Sequence, residues 1–189
     1  MTPYETVSST PVFAGRVISV RTDEVRMSDG SVAQREVVEH PGAVAIVALD
    51  EEDQVVLVNQ YRHPVGRRLD ELPAGLLDVA GEAPLAAAKR ELFEEAGLEA
   101  ANWYELVRMM TSPGMTNEQI TIFLATGLTA SDQSFAAEHE ELTMTVSRRP
   151  LAEAVADVLA GRITNGPAIA GVLAASVARR SDLEPAAGS

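Results

Sequence analysis

Two apolar runs near the middle of the chain limit its fold more than any other feature. AVAIVAL occupies residues 43–49, QVVLVNQYR occupies residues 54–62, and the acidic turn DEED joins them. Uninterrupted apolar runs of this length are typical of strands that are covered on both faces of a sheet. We therefore expect two central strands that need a covering layer on each side.

Helical patterns follow in two places. Gly81 and Pro84 indicate the start of a helix of roughly four turns, and Gly97 indicates its end. Further strands are predicted at NWYELVRMM, QITIFLATGL and LTMTVSRR, and two helices are predicted after residue 149, broken at 161–166. Strands on both sides of one central helix, with more helices at the end, predict an α/β fold with a helix–sheet–helix sandwich.

The N-terminal segment has a different pattern. Residues 12–39 alternate as strands do, and Ser-Asp-Gly at 28–30 predicts a turn. We expect a small antiparallel sheet of two or three strands. The predicted organisation is an N-terminal sheet over 1–41, a main domain over 42–180 and a disordered tail over 181–189.

Composition excludes several classes of protein. The chain has 189 residues, no cysteine and a formal net charge of -13. Thiolate metal sites and cysteine nucleophiles are therefore excluded, and nonspecific nucleic-acid binding is not expected of so acidic a protein. The N-terminus lacks a basic segment followed by an apolar one, and no apolar run is long enough to cross a membrane, so we expect a cytoplasmic protein.

Three glutamates crowd the end of the predicted central helix. Glu91, Glu94 and Glu95 have i, i+3 and i+4 spacing, which puts them on one face. Like charges at this spacing destabilise a helix, so a positive group is expected between them. Hard divalent cations such as Mg²⁺ or Mn²⁺ suit clustered carboxylates and often accompany phosphate substrates. The alternative is a solvated acidic helix end.

The residues around these glutamates carry a resemblance to a known family. EAPLAAAKRELFEEAGL, residues 82–98, resembles the Nudix box, in which Glu, seven residues and Arg-Glu-aliphatic-any-Glu-Glu-any-Gly-aliphatic follow one another. The box begins with a Gly that is separated from that first Glu by five residues. Here six residues separate Gly75 from Glu82. The extra residue is expected in the loop before the helix.

The resemblance implies a Nudix-like α/β/α sandwich with a mixed sheet and a hydrolase of nucleoside diphosphates linked to another group. It makes Glu91 and Glu95 the leading ligands of Mg²⁺ or Mn²⁺, Glu94 a supporting one and Arg90 their orienting partner. The motifs REVVEHPGAV, VNQYRHP, ELPAG and TSPGMTNE are similar to those of ADP-ribose pyrophosphatases. In that subfamily the carbonyl at the Ala74 position also ligates the metal, and ADP-ribose is split into AMP and ribose 5-phosphate.

Substrate-binding residues are also implied. Subfamily members are commonly homodimers in which the positions of Arg35 and Glu36 reach the adenine end and that of Arg62 meets phosphate. Substrate choice is expected to involve the TSPGMTNE loop, with Met115 and Glu118 as its candidates.

A glutamate after the box is implied as catalytic base. Counting from the box favours Glu140, with Glu138 and Glu141 as the alternatives. Three other functions stay open at this point: a pyrophosphatase for another nucleoside diphosphate sugar, a sensor that binds ADP-ribose without cutting it, and an acidic interaction domain. The sensor is disfavoured because the box glutamates and arginine are all present.

Overall fold

The chain forms two compact units in the computed structural model, which describes residues 4–131, 143–178, 183, 185 and 186. Unit 1 consists of Met1–Gly42 and Met110–Gln119, and unit 2 consists of Ala43–Met109 and Ile120–Ser189.

Unit 1 is built on an antiparallel sheet of three strands in the order β1-β2-β3. The strands are β1 Glu5–Ala14, β2 Ser19–Arg26 and β3 Val32–Glu39. Gly30 at φ 84° makes the turn between β2 and β3, as its sequence predicts. The loop at 111–118 lies along β3, where the Val38 N–H donates to the Met115 carbonyl at 2.8 Å. The predicted N-terminal antiparallel sheet is therefore confirmed.

Unit 2 contains a mixed sheet of seven strands. They are β4 Ala43–Leu49, β5 Gln54–Arg62, β6 Arg67–Glu71, β7 Ala74–Leu76, β8 Leu98–Met110, β9 Gln119–Ala130 and β10 Thr145–Pro150. The main path runs β10-β5-β4-β9-β8, while β6 pairs with β5 and β7 pairs with β4. β4 is parallel to β9 and antiparallel to β5 and β7. The helices are α1 Pro84–Ala96, α2 Leu151–Leu159 and α3 Gly166–Val177.

Strand β4 shows how the layers form. Every residue of β4 is buried, as its apolar run predicts. Ala45 and Val47 belong to an apolar cluster with residues of α2 and α3. Val44 and Ile46, which point to the opposite face, belong to a second cluster with residues of α1. The helix–sheet–helix sandwich predicted from the sequence is confirmed.

Two strands of unit 2 were not predicted from the sequence. They are β6, which has the charged sequence RRLDE, and β7, which has three residues. The disordered tail over 181–189 stays a prediction, and within that segment the Ala186 N–H donates to the Trp103 carbonyl at 2.9 Å. Within the described part of the chain, no helix is long and apolar enough to cross a membrane.

Candidate active site

Helix α1 is fixed against the sheet by its apolar face. It begins with Pro84 in its first turn, and it ends where Gly97 adopts the left-handed conformation at φ 65°. Leu85, Ala88 and Leu92 are buried on the side that faces β4. The glutamates follow this buried stripe around the helix, so they are half-buried at its edge.

One arginine holds three carboxylates together. We call Glu82, Glu91, Glu94 and Glu95 the glutamate cluster. Arg90 forms a fork on Glu82, with Nε donating at 3.1 Å and Nη2 at 2.9 Å. Its Nη1 donates to Glu91 at 2.6 Å and to Glu94 at 2.9 Å. The positive group expected between the glutamates is therefore Arg90 in this structure.

This arrangement shifts the acid–base equilibria of both partners. The hydrogen bond to Glu82 raises the pKa of Arg90 above its usual value, with Glu91 and Glu94 adding to the effect. The same hydrogen bond lowers the pKa of Glu82 below 4.5. One guanidinium is therefore shared by three carboxylates of the cluster, those of Glu82, Glu91 and Glu94.

Strand β7 also contacts the glutamate cluster. The Ala74 N–H donates to Glu95 Oε2 at 2.9 Å. A Cβ added to Gly75 would come closer than 3.0 Å to the carboxylate carbon and both oxygens of Glu91, a distance that real Cβ atoms do not reach. Glycine is thus required for Glu91 to lie here. The extra residue of the box lies in the loop at 77–83, beyond this contact.

The cluster has the donor chemistry of a hard-cation site. Its side-chain donors are all carboxylate oxygens, which suit Mg²⁺ or Mn²⁺. Within the described residues, no group of three acidic or histidine side chains is already arranged to hold an ion. In this structure the oxygens of Glu91, Glu94 and Glu95 accept from the N–H donors of Arg90 and Ala74.

Arg62 lies at the end of β5 and pairs with a different carboxylate. Its Nε donates to Glu71 Oε1 at 3.0 Å and its Nη2 donates to Glu71 Oε2 at 2.7 Å. Glu71 is almost completely buried at the end of β6. The structure therefore places the predicted phosphate-binding arginine in a fork that the sequence reading did not foresee.

Three of the predicted substrate residues line one cavity in unit 1. Arg35, Glu36 and Met115 surround a space of about 420 Å³ together with Gln34, Val38 and Gly114. Glu118 has other partners, since it accepts from Thr111 Oγ1 at 2.5 Å and lies 3.5 Å from His40 Nδ1. The cavity brings together two distant parts of the sequence.

The candidate bases Glu138, Glu140 and Glu141 lie outside the described residues. Three residues of the site were given no role from the sequence: Glu82, Glu71 and Gly75. The box pattern itself includes Glu82 and could have indicated it. Glu71 and Gly75 both belong to the ELPAG motif, whose only assigned contribution was the Ala74 carbonyl.

A buried apolar face, a run of box glutamates and an α/β/α sandwich define a class of phosphate-processing protein. The NUDIX domain model matches residues 39–163, and the model of the nucleoside diphosphate sugar hydrolase N-terminal domain matches residues 4–38. The chain belongs to the Nudix family. Nudix hydrolases typically need a divalent metal ion, and the donor set of the glutamate cluster fits one.

Similar proteins extend the match over most of the chain. An ADP-ribose pyrophosphatase of Mycobacterium tuberculosis is 53% identical over 171 residues, covering 90% of this chain and 82% of that protein. An ADP-ribose pyrophosphatase of Bacillus subtilis is 36% identical over 137 residues, covering 72% and 74%. A solved structure described as an ADP compounds hydrolase has a TM-score of 0.78 at 22% identity and covers 92% of each chain, which confirms the fold.

Proposed function

We propose that this protein hydrolyses the diphosphate of ADP-ribose to AMP and ribose 5-phosphate, with Mg²⁺ or Mn²⁺ as cofactor. The observation that carries the proposal is the complete glutamate cluster, in which Glu91, Glu94 and Glu95 lie on α1 and Ala74 and Gly75 contact Glu95 and Glu91. The substrate is supported by the 53% identity to an ADP-ribose pyrophosphatase over nine-tenths of the chain.

The residues of the cluster have distinct proposed roles. Glu91 and Glu95 would be the main metal ligands, with Glu94 and the Ala74 carbonyl completing the protein's share. A bound divalent ion supplies positive charge to nonbridging phosphate oxygens and lowers the pKa of a water molecule. Arg90 orients the carboxylates, because its fork on Glu82 anchors it from outside the helix.

Proton removal from the water is assigned to a glutamate after the box. We propose Glu140 for this role, with Glu138 and Glu141 as the alternatives that mutation must separate. A carboxylate within hydrogen-bond reach of the water would take its proton as the water oxygen bonds to one phosphorus and the bridging P–O bond breaks, with the other phosphate as the leaving group. Substitution of each glutamate by Gln, one at a time, identifies the base as the variant with the largest fall in kcat.

Two groups of residues are proposed to recognise the substrate. The cavity beside Arg35, Glu36 and Met115 is large enough for a planar base, so we assign it the adenine end. Glu118, at the end of the loop 111–118, is also assigned to substrate binding. Arg62 is assigned to phosphate, since a guanidinium fork matches phosphate oxygens.

We also propose that the protein is a homodimer formed through residues 1–41, with 42–180 carrying the catalytic residues. Every residue of β1 is exposed, including Val7, Val12 and Phe13. A ten-residue strand with this much exposed apolar surface favours a protein partner. Light scattering on the full chain tests this proposal, and a mass near 20.1 kDa at all concentrations would reject it.

A substrate panel tests the proposed activity. ADP-ribose, other nucleoside diphosphate sugars, dinucleotides and nucleoside triphosphates are assayed with Mg²⁺ and with Mn²⁺. We expect ADP-ribose to be among the best substrates, and we expect Glu95→Gln to lower kcat at least about hundredfold. Glu153→Gln, an exposed glutamate on α2, is the control. Poor turnover of ADP-ribose rejects the substrate, and full activity of Glu95→Gln rejects the metal site.

A further inference from the structure

Glu71 is a charged residue in a place where charge is costly. Its side chain is 2% exposed, and it is the last residue of β6, with Leu72 and Pro73 between it and β7. Burial of a carboxylate is strongly unfavourable unless a cation and hydrogen bonds compensate it. Arg62 supplies both through two parallel N–H donations to the two carboxylate oxygens.

The two partners of this fork are unequally exposed. The Arg62 side chain is 45% exposed, while that of Glu71 is nearly inaccessible. A bidentate contact fixes the plane of a guanidinium as well as its position, because both donors must stay aligned. Glu71 therefore restrains Arg62 from the protein side while the arginine still meets solvent.

The fork is close to the glutamate cluster along the chain. Ala74 is three positions after Glu71, so their Cα atoms are at most about 11 Å apart. The intervening Pro73 is also fixed, because its carbonyl accepts from the Ile46 N–H at 2.8 Å. The Ala74 N–H in turn holds Glu95. One short segment thus connects the Arg62 fork to a proposed metal ligand.

From this connection we propose that Glu71 is a positioning residue, which orients Arg62 to bind a phosphate oxygen of the substrate's diphosphate. This inference rests on the proposed function, since it assigns Arg62 to the diphosphate. Glu71 itself touches no substrate in this proposal. Its contribution is to keep the guanidinium in one orientation, so that binding does not have to order a flexible side chain.

A matched ion pair elsewhere in unit 2 separates positioning from structural support. Asp50 and Arg148 are 2.7 Å apart with side-chain exposures of 10% and 44%, compared with 2% and 45% for Glu71 and Arg62. Asp50 also accepts from the backbone N–H groups of Glu52 and Gln54, so its role in a turn is evident. Asp50→Asn therefore reproduces the structural damage of Glu71→Gln without altering the fork.

The test compares these two variants with the full-length wild type. We expect Glu71→Gln to raise the KM for ADP-ribose about tenfold with kcat changed less than threefold, and Asp50→Asn to change both less than about twofold. Titration calorimetry in EDTA, with inorganic pyrophosphate as the ligand, is expected to show the same weakening for Glu71→Gln alone. Glu71→Asp keeps the charge on a shorter side chain and is expected to give an intermediate KM.

Other outcomes overturn the proposal in identifiable ways. Equal effects of Glu71→Gln and Asp50→Asn on melting temperature with no difference in KM would make the fork a structural ion pair. If Glu71→Gln does not fold, Glu71→Asp carries the same comparison, and an unchanged KM then rejects positioning. If wild type does not cleave ADP-ribose, the proposed function fails, whereas the pyrophosphate titration still decides on Glu71. Absence of pyrophosphate binding to wild type would reject the role of the fork.

Discussion

Two of the arginine–glutamate groups in unit 2 differ in their ratio of charges. In the part of the chain that the structure describes, Arg62 forms an ion pair with one carboxylate, that of Glu71, and this carboxylate is buried. Arg90 meets three carboxylates, Glu82, Glu91 and Glu94, and all three are partly exposed. The first group balances one charge with one, whereas the second leaves an excess of carboxylates.

This difference separates a closed ion pair from a site that can accept a cation. In a one-to-one buried pair each charge is neutralised by the other, so a divalent ion would gain little free energy by binding there. Several carboxylates around one guanidinium repel one another, and a further positive charge relieves that repulsion. The same residue types therefore serve as a support in one place and as a proposed metal site in the other.

The largest expected effect comes from breaking the closed pair. Arg62→Met leaves Glu71 buried without its guanidinium, and we expect the free energy of unfolding to fall by about 3 kcal/mol. For a chain of this size, the melting temperature should fall by about 6–12 °C. Thermal unfolding in EDTA and in Mn²⁺ measures it, and the deficit relative to wild type should be similar in both.

Arg108→Met is the control for this prediction. Arg108 pairs with Glu105 on the surface, and such exposed pairs contribute little to stability. A similar loss in both variants would mean that burial of Glu71 does not matter. A deficit in Arg62→Met that disappears with Mn²⁺ would contradict the distinction between the two groups.

The fold could be predicted from the sequence where hydrophobic pattern and turn residues agree. The buried strands β4 and β5 and the helix α1 were all predicted, since long apolar runs and a bounded helical pattern each permit one reading. Strand β6 was missed because RRLDE is mostly charged and gains its place from pairing with β5. That missed pairing also concealed the Arg62 fork, whose partners lie on the two strands of this hairpin.

A second prediction concerns Gly75, which lies against the Glu91 carboxylate. Gly75→Ala puts a methyl group into the space of the Glu91 carboxylate, which must move. A displacement of about 1 Å in a positioned catalytic group can cost about hundredfold, so we expect kcat/KM to fall by that order. Steady-state kinetics with ADP-ribose measures the loss. The Arg62 group should keep its contribution to stability.

Combining this change with Glu91→Ala provides the control. If Gly75→Ala acts through Glu91, the double variant should be no worse than Glu91→Ala alone. Additive losses would place the effect of the methyl group elsewhere in the site.

The sequence predicted the site less completely than the fold. The spacing of Glu91, Glu94 and Glu95 fixed their common face, because helical geometry determines it. The contact between Gly75 and Glu91 could not be obtained in this way. It depends on how β7 lies across α1, and the loop that connects these elements has one residue more than the family pattern.

A third prediction distinguishes the two arginines by their response to metal. Arg90→Met removes the cation that three carboxylates share, and we expect a loss of about 2 kcal/mol in EDTA. A divalent ion can relieve the same repulsion, and a ligand at 100 times its Kd stabilises by about 2.7 kcal/mol. Wild type is stabilised by the ion as well, but the unrelieved repulsion in Arg90→Met favours tighter ion binding, so the difference in melting temperature from wild type should narrow in Mn²⁺. A difference that stays constant or grows would show that Arg90 supports metal binding more than it substitutes for it.

The smallest expected effect lies at the anchored end of Arg90 and depends on pH. The hydrogen bond from Arg90 lowers the pKa of Glu82 below its ordinary 4.5, so the native state favours the carboxylate. The stabilisation is fully present above pH 4.5 and is lost as the pH falls through the lower native value. Glu82→Gln should therefore be less stable than wild type at neutral pH, by about 0.5 kcal/mol because the pair is partly exposed.

Urea unfolding at several pH values measures this difference, and it should shrink as the pH falls below 4.5. Glu105→Gln removes the partner of Arg108 on the surface and serves as the matched control. A difference for Glu82→Gln that is the same at every pH would mean that its charge is not what Arg90 uses. Glu82 would then hold Arg90 through packing and not through its charge. The distinction between the two arginine groups would rest on burial alone.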